Sequence, residues 1–506
     1  MNTRVLTKNG YVNGFSENGI NKWFGIPYAK PPVKELRFKR AVPADNWDGE
    51  LMCKKMSPKP WQFAGGKFEK LTRTDNEASE DCLYLNIWAP ENIDNNAKKP
   101  VLFWIYGGGQ YAGEASAPEY YLDAFARDGV IGVSFNYRLG VLGFYDFSRF
   151  EASFESNCAI SDMIMALRWV NENIAAFGGD PENVTIAGES AGATSSLALL
   201  ASPYARPYFN KAIVMSGLLG NISSGTIQEV HREQFLEAVG ISEEEIVKLR
   251  YMTYDELLPG CRVVFEGHTQ GYPGLLSCGP VFDDLVPEEL ISVIERGELK
   301  DKKLMIGTCR DEGGLFNYMK ICPRTWADIL NMLKNNGYLG LRDRFETFYG
   351  KMKIHDAVLK ANRDRMFVTG SIKTAIAFSK NSDAYMYRFD LVTPISRLMR
   401  MGATHTMDVC PALDTNDGHM ATMYKLANQQ MVDYIHAQMH GAFMNFVISG
   451  NPNEGSAVLK KDIADNLYWP TFNEKDMDTF IFDEKCHVLK GPDRDNYELW
   501  KDIKIY

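Results

Sequence analysis

Short apolar runs alternate with amphipathic stretches along most of the chain. Branched and aromatic residues fill positions 10–15, 23–28, 83–88, 101–106 and 130–137, and again 184–187, 304–308 and 384–389; runs of this length and type predict strands, the most apolar of them in a buried central sheet. Helical periodicity marks 161–176, a start at 193–200, and 427–448. The pattern also turns helical over about 229–300, with Ser242 ahead of three glutamates reading as a capped start, and over 326–380. Positions 57–78 have little periodicity and predict a loop. Strands alternating with helices predict an α/β fold, a mainly parallel sheet with helices on both faces. No repeat or low-complexity linker interrupts it, so residues 1–506 are expected to form one domain, the two helical stretches being insertions over the sheet's C-terminal edge.

Composition narrows the function classes. At 45% hydrophobic and 24% charged, with no apolar run of eighteen residues, the chain reads as a globular protein that does not span a bilayer. A formal charge of −10 disfavours nucleic acid and anionic membrane as partners, because both need clustered Lys and Arg. The first ten residues have no apolar h-region, so a cytoplasmic protein is expected. Nine cysteines without a Cys-x-x-Cys pair predict free thiols and no zinc site. His436 and His440, four apart on one helix, lack a third ligand and predict no metal.

The candidate chemistry centres on Gly188-Glu189-Ser190-Ala191-Gly192. This Gly-x-Ser-x-Gly lies where a strand turns sharply into a helix, and only residues without a Cβ fit at its two glycines. The pattern alone is weak. With the turn cluster 177–183 before it, the run 177–192 resembles the active-site signature of the type-B carboxylesterases, the family of cholinesterases and bacterial nitrobenzyl esterases. Glu80-Asp81-Cys82-Leu83-Tyr84-Leu85-Asn86 resembles that family's second signature, and 25–32, 449–453 and 469–472 match its further motifs in order. The resemblance covers nearly the whole chain. It implies an α/β-hydrolase fold and cleavage of carboxylic esters through an acyl-serine, with no cofactor and a small-molecule ester as partner. A bacterial source is expected, and a monomer is favoured over an oligomer.

A serine hydroxyl needs a base to take its proton and an acid to orient that base. Among eight histidines, His405 is selected because 402–409 resembles the family's histidine loop; His419, in a turn, is the rival. The segment 307–313 resembles the one supplying the acid, and its register selects Glu312 over Asp311. Gly107-Gly108-Gly109 follows a predicted strand, and the resemblance makes the N–H groups of Gly108, Gly109 and Ala191 the oxyanion donors. It also places Glu189 and Ser216 in a polar network behind the triad and pairs Arg138 with Asp162 and Arg37 with Glu80. In secreted relatives the counterpart of Cys82 is bridged to a position that aligns with Pro60, so the partner is missing here. Gln110 stands where relatives have an aromatic or apolar residue and is expected to line the substrate pocket, with Leu218, Leu219 and Met407, near Met399 and Met401. The 57–78 loop has no aromatic choline-binding pattern, which argues against cholinesterase activity. The alternatives are an amidase or lipase on the same triad, or a non-catalytic cholinesterase-like interaction protein. Activity is expected to rise with pH, with a midpoint within about a unit of 6.5.

Overall fold

Eleven strands form the main sheet of the computed structural model, which describes residues 3–63, 74–93, 97–223, 226–271, 276–319, 323, 325–454 and 467–504. Cys322 and the middle of the 57–78 stretch lie outside the described residues. The strands are β1 (Phe15–Glu17), β2 (Ile20–Pro27), β3 (Tyr84–Pro90), β4 (Lys99–Ile105), β5 (Ile131–Phe135), β6 (Gly179–Glu189), β7 (Lys211–Met215), β8 (Lys303–Cys309), β9 (Ala384–Phe389), β10 (Asp478–Phe482) and β11 (His487–Lys490). Their spatial order is β11-β10-β9-β8-β7-β6-β4-β5-β3-β2-β1. From β10 across to β5 every pairing is parallel, and the outer strands pair antiparallel. β5 and β7 are buried at every residue, as parallel strands covered on both faces must be.

This order determines where a site can form. From β4 the chain continues to β5 on one side, then crosses over to place β6 on the other. Strand order therefore reverses at β4 and β6, leaving a crevice beyond their carboxyl ends. The loop after β4 holds the three glycines, and the turn after β6 holds Ser190.

Helix α1 (Cys158–Asn173) precedes β6, and α2 (Ala191–Ala201) leaves it and packs on β6 and β7. Helix α3 (Thr369–Ser379) packs on β8 and β9, and α4 (Gln429–Ser449) packs on β4, β6 and β10. Between β7 and β8 lie the helices Thr226–Val239, Tyr254–Gly271 and Leu290–Glu295; between β8 and β9 lie those from Trp326 to Ser379. Residues 243–250 form a 3₁₀ helix with Ser242 extended at its N-cap. Ser242 makes no side-chain cap there.

Both expected ion pairs form in the interior: Arg37 Nη2 to Glu80 Oε1 at 2.5 Å and Arg138 Nη2 to Asp162 Oδ1 at 2.6 Å. His436 and His440 hold α4 to its neighbours through Asp414 and Asp128, each at 3.1 Å. The eight described cysteines, Cys53 and Cys82 included, are free thiols.

Candidate active site

Ser190 stands between β6 and α2 with φ 57° and ψ −119°, a left-handed conformation that non-glycine residues avoid. Hydrogen bonds over-determine it: its N–H donates to Met215 O at 2.8 Å and its carbonyl accepts from Thr194 N–H at 2.9 Å. A Cβ at Gly192 would lie 2.0 Å from Ile105 O, and one at Gly188 would lie 2.5 Å from the Gly192 carbonyl carbon. The glycines of the motif thus let strand, turn and helix close on one another, which leaves the serine 7% exposed at the crevice.

His405 and Glu312 meet behind it. His405 Nδ1 lies 2.5 Å from Glu312 Oε2, and the other carboxylate oxygen accepts from Ser216 Oγ at 2.6 Å and Cys309 N–H at 2.8 Å. With Glu312 fully buried, these bonds fix its carboxylate and make Nδ1 the protonated nitrogen of a neutral imidazole. Nε2 then carries the lone pair. It has no hydrogen-bond partner and lies 3.2 Å from Glu189 Oε1. Phe316 and Phe367 flank the ring at centroid distances of 5.0 and 4.9 Å.

The electrostatics of this cluster are those of several carboxyl groups sharing a dry space. Burial disfavours the imidazolium, but the carboxylates of Glu189 and Glu312 outweigh it and raise His405 to about 9. Burial also pushes Glu189 up to about 8, against the pull of His405. Asp408, whose Oδ2 accepts from Tyr387 Oη at 2.8 Å, is pushed up to about 6, chiefly by burial and then by the Glu312 charge. The sequence reading missed Asp408, Phe316 and Phe367. Phe316 was within reach of it, four residues past Glu312 on the helix Gly313–Met319.

Gly108 has φ +118° and Gly109 has φ +63°; a Cβ at Gly108 would fall 2.0 Å from Ala112 O. Among the described residues none accepts a hydrogen bond from the backbone N–H of Gly108, Gly109 or Ala191. Gln110 departs from expectation. The cavity wall passes from Gly109 to Tyr111 without it, and its fully buried side chain accepts from Asn221 Nδ2 at 3.3 Å. Its φ of +66° continues the left-handed turn begun at Gly109 and directs the amide into the interior, so Gln110 is not a pocket residue.

Ser190, Glu189, His405 and Gly107–Gly109 line one cavity of about 600 Å³. Met407 lines it as expected, together with Met319, Met399, Met401, Met420 and Met423. Leu218 and Leu219 do not. After Ser216 the chain turns away from the crevice, burying Leu218 against Met366 and Phe367 and leaving Leu219 at a separate cavity. His419 also reaches the main cavity, exposed on the one-turn helix Gly418–Ala421. From the first insertion Phe265 and Leu276 contribute to the cavity wall, while Thr369 and Lys373 of the second line the separate cavity. Among the described residues no group of His, Cys, Asp and Glu could hold a metal ion, and no helix is long and apolar enough to cross a membrane.

Known proteins carry the same architecture. The model of the carboxylesterase family matches residues 1–500. The para-nitrobenzyl esterase of Bacillus subtilis is 32% identical over 499 residues, covering 97% of this chain and 96% of that one. The phenmedipham hydrolase of Pseudarthrobacter oxydans is 31% identical over 495 residues, 96% of each chain. The solved carboxylesterase of Geobacillus stearothermophilus superposes with a TM-score of 0.81 at 32% identity, over 98% of this chain and 100% of that one. A strained serine turn, a buried carboxylate on a histidine and a match over nearly the full length lead to one assignment: the chain belongs to the carboxylesterase family, with the α/β-hydrolase fold, and is a carboxylic-ester hydrolase.

Proposed function

We propose that Ser190 is the nucleophile, His405 the base and Glu312 its orienting acid, in hydrolysis of carboxylic esters through an acyl-serine. Ser190 Oγ attacks the ester carbonyl carbon as its proton passes to His405 Nε2. The imidazolium that results is stabilised by the Glu312 carboxylate on Nδ1. The carbonyl oxygen becomes an oxyanion held by the N–H groups of Gly108, Gly109 and Ala191. Collapse of the tetrahedral intermediate breaks the bond to the alcohol oxygen, which takes the proton from Nε2. Water then attacks the acyl-serine by the same route and releases the carboxylic acid. Ser216 and Glu189 act as positioning and electrostatic groups: Ser216 fixes the Glu312 carboxylate, and Glu189 favours the imidazolium.

The observation that carries this reading is the 2.5 Å contact between Glu312 and His405, with an unpartnered Nε2 in the cavity that Ser190 lines. An organophosphonate ester should label Ser190, mapped by mass spectrometry, and Ser190→Ala should lose on the order of 10⁵ or more in kcat while keeping its stability. Adducts on another serine, or an active Ser190→Ala protein, would remove the assignment. Retention of all these residues favours an enzyme over a non-catalytic interaction protein. An anilide tested beside the matching phenyl ester decides between esterase and amidase.

The methionine-lined cavity supports esters with a bulky apolar acyl or alcohol part as the substrate class, read by a p-nitrophenyl ester series of increasing acyl length. We also propose a single catalytic unit over residues 1–506, acting as a monomer in a bacterial cytoplasm. The free cysteines support that compartment. A denatured, unreduced sample should titrate about nine thiols, and a mapped bridge from Cys53 to Cys82 would reverse it.

A further inference from the structure

Beyond Leu218, Met366 and Phe367, which pack with Phe316 and Met319 of the main cavity, lies a second cavity of about 120 Å³. Its apolar surface comes from Leu219, Ile222, Met366 and Trp500, and its charged groups are Arg365, Lys373, Lys501 and Lys504 against the single carboxylate of Glu289. Such an excess of cations is unexpected on a chain of formal charge −10. Lys504 pairs with Glu289 at 3.6 Å and Lys501 with Glu498 at 2.7 Å. Lys373, half-buried on α3, makes no ion pair among the described residues. Burial pushes the Arg365 guanidinium down to about 9. An anion beside Lys373 would gain a charge-assisted contact, and its hydrocarbon would leave water.

The volume limits the ligand. A cavity of roughly 150 Å³ holds one benzene ring, so about 120 Å³ suits a chain of a few carbons. The cavity is also wired to the oxyanion loop: Asn221 in its wall donates through Nδ2 to Gln110 Oε1 at 3.3 Å and to Cys278 O at 2.8 Å, and Gln110 directly follows Gly109.

We propose that this cavity binds a short-chain carboxylate, its head group on Lys373 and Arg365 and its alkyl part on Leu219, Met366 and Trp500, and that an occupant lowers turnover by shifting Asn221 and with it Gln110. The acid released from an ester with a short acyl part is such a molecule, so this part rests on the reading of the chain as an ester hydrolase. Butyrate is the probe, with butylamine and inorganic phosphate as controls. Titration calorimetry should show one butyrate site, and butyrate should lower kcat with KM for a p-nitrophenyl ester little changed. Lys373→Glu should weaken butyrate about tenfold or more, since a charge-assisted contact is lost, and Lys373→Arg should restore most of it, both with the basal activity of the native protein. Equal binding by Lys373→Glu, purely competitive inhibition, or phosphate binding as tightly as butyrate would each overturn the proposal. Calorimetry reads binding without turnover. An absence of heat in a protein that hydrolyses esters sinks this site alone, whereas heat without hydrolysis leaves it standing and removes the reading of the Ser190 cavity.

Discussion

Along the β4 and β6 side of the Ser190 cavity a single methyl group has no room, whereas elsewhere its wall includes six methionines, of which Met420 and Met423 are only partly buried and Met399 is exposed. A Cβ at Gly108 or Gly192 would meet a backbone carbonyl oxygen at 2.0 Å, an atom that cannot rotate away. Methionine has three rotatable bonds and a polarisable sulfur, so its wall can yield to different shapes. On the proposed mechanism the difference separates two jobs: the glycine wall fixes where charge develops, and the methionine wall accepts what is attached to it. His405 and Met407, two residues apart, belong one to each. The imidazole is held by Glu312 and flanked by two phenyl rings, while the thioether faces the cavity.

The largest expected effect falls on the rigid side. His405→Ala should lose roughly 10⁴-fold or more in kcat, because nothing else takes the serine proton. The exposed His419 lies in the same cavity, and His419→Ala should change KM more than kcat. Steady-state kinetics on one p-nitrophenyl ester measures both, and the reverse pattern would exchange their roles. Next comes Gly108→Ala. Its Cβ must displace Ala112 O, which moves a proposed oxyanion donor, so kcat should fall by about 10²–10³ at nearly unchanged KM. A loss confined to KM would mean that the loop holds substrate and not the oxyanion.

Much of this rigid wall was legible in the sequence because rigidity leaves marks in residue type. Glycine where no Cβ fits, serine at a strained turn and a triplet after a strand are local signals, and Ser190, Glu312, His405 and the three glycines come together as their motifs imply. What needed the fold was direction. Gln110 looked like a pocket residue by adjacency, yet a φ of +66° turns it inward to Asn221. Leu218 and Leu219 followed the Ser216 segment in sequence but face a different cavity. Strand β7 went unread, although Lys211–Met215 lies beside β6 near the centre of the sheet. Strands β10 and β11, near the end of the chain, went unread as well.

The pH profile tests how the rigid wall is charged. With Glu189 and Glu312 beside it, His405 is raised to about 9, so the acid limb of kcat/KM should lie above the interval around 6.5 that the sequence suggests. The sign follows from charge: a carboxylate 3.2 Å from Nε2 stabilises the imidazolium, and activity needs the neutral ring. Glu189→Gln removes that carboxylate, so His405 should lose its proton more readily and the limb should move down by about a unit. A limb unmoved by Glu189→Gln would show that Glu189 is already uncharged in the working enzyme. Gln110→Ala should act in the same region without changing the profile. Removing the amide takes one of two acceptors from Asn221 Nδ2, at a stability cost of about 1–3 kcal/mol, and kcat should fall as the loop loosens. That loss should be equal for alkyl and oxygen-rich esters, since the side chain does not face the cavity.

The smallest effects belong to the methionine wall. Met420→Leu keeps volume and apolar character while removing one rotatable bond and the sulfur, and such exchanges usually cost less than about 1.5 kcal/mol even in a core. Met420 is only partly buried, so the melting temperature should stay within a few degrees. Selectivity is where the change should appear. A stiffer, branched side chain fits one shape well and others badly, so kcat/KM for a short acyl ester should barely move while that for a bulky one shifts by about threefold to tenfold, within the range that one or two methylenes can discriminate. A leucine variant that loses all esters equally would place Met420 with the rigid wall, holding the catalytic groups. A variant that changes none would leave the main cavity wider than the substrates tested, and the softness of this wall would then matter for packing and not for choice of ester.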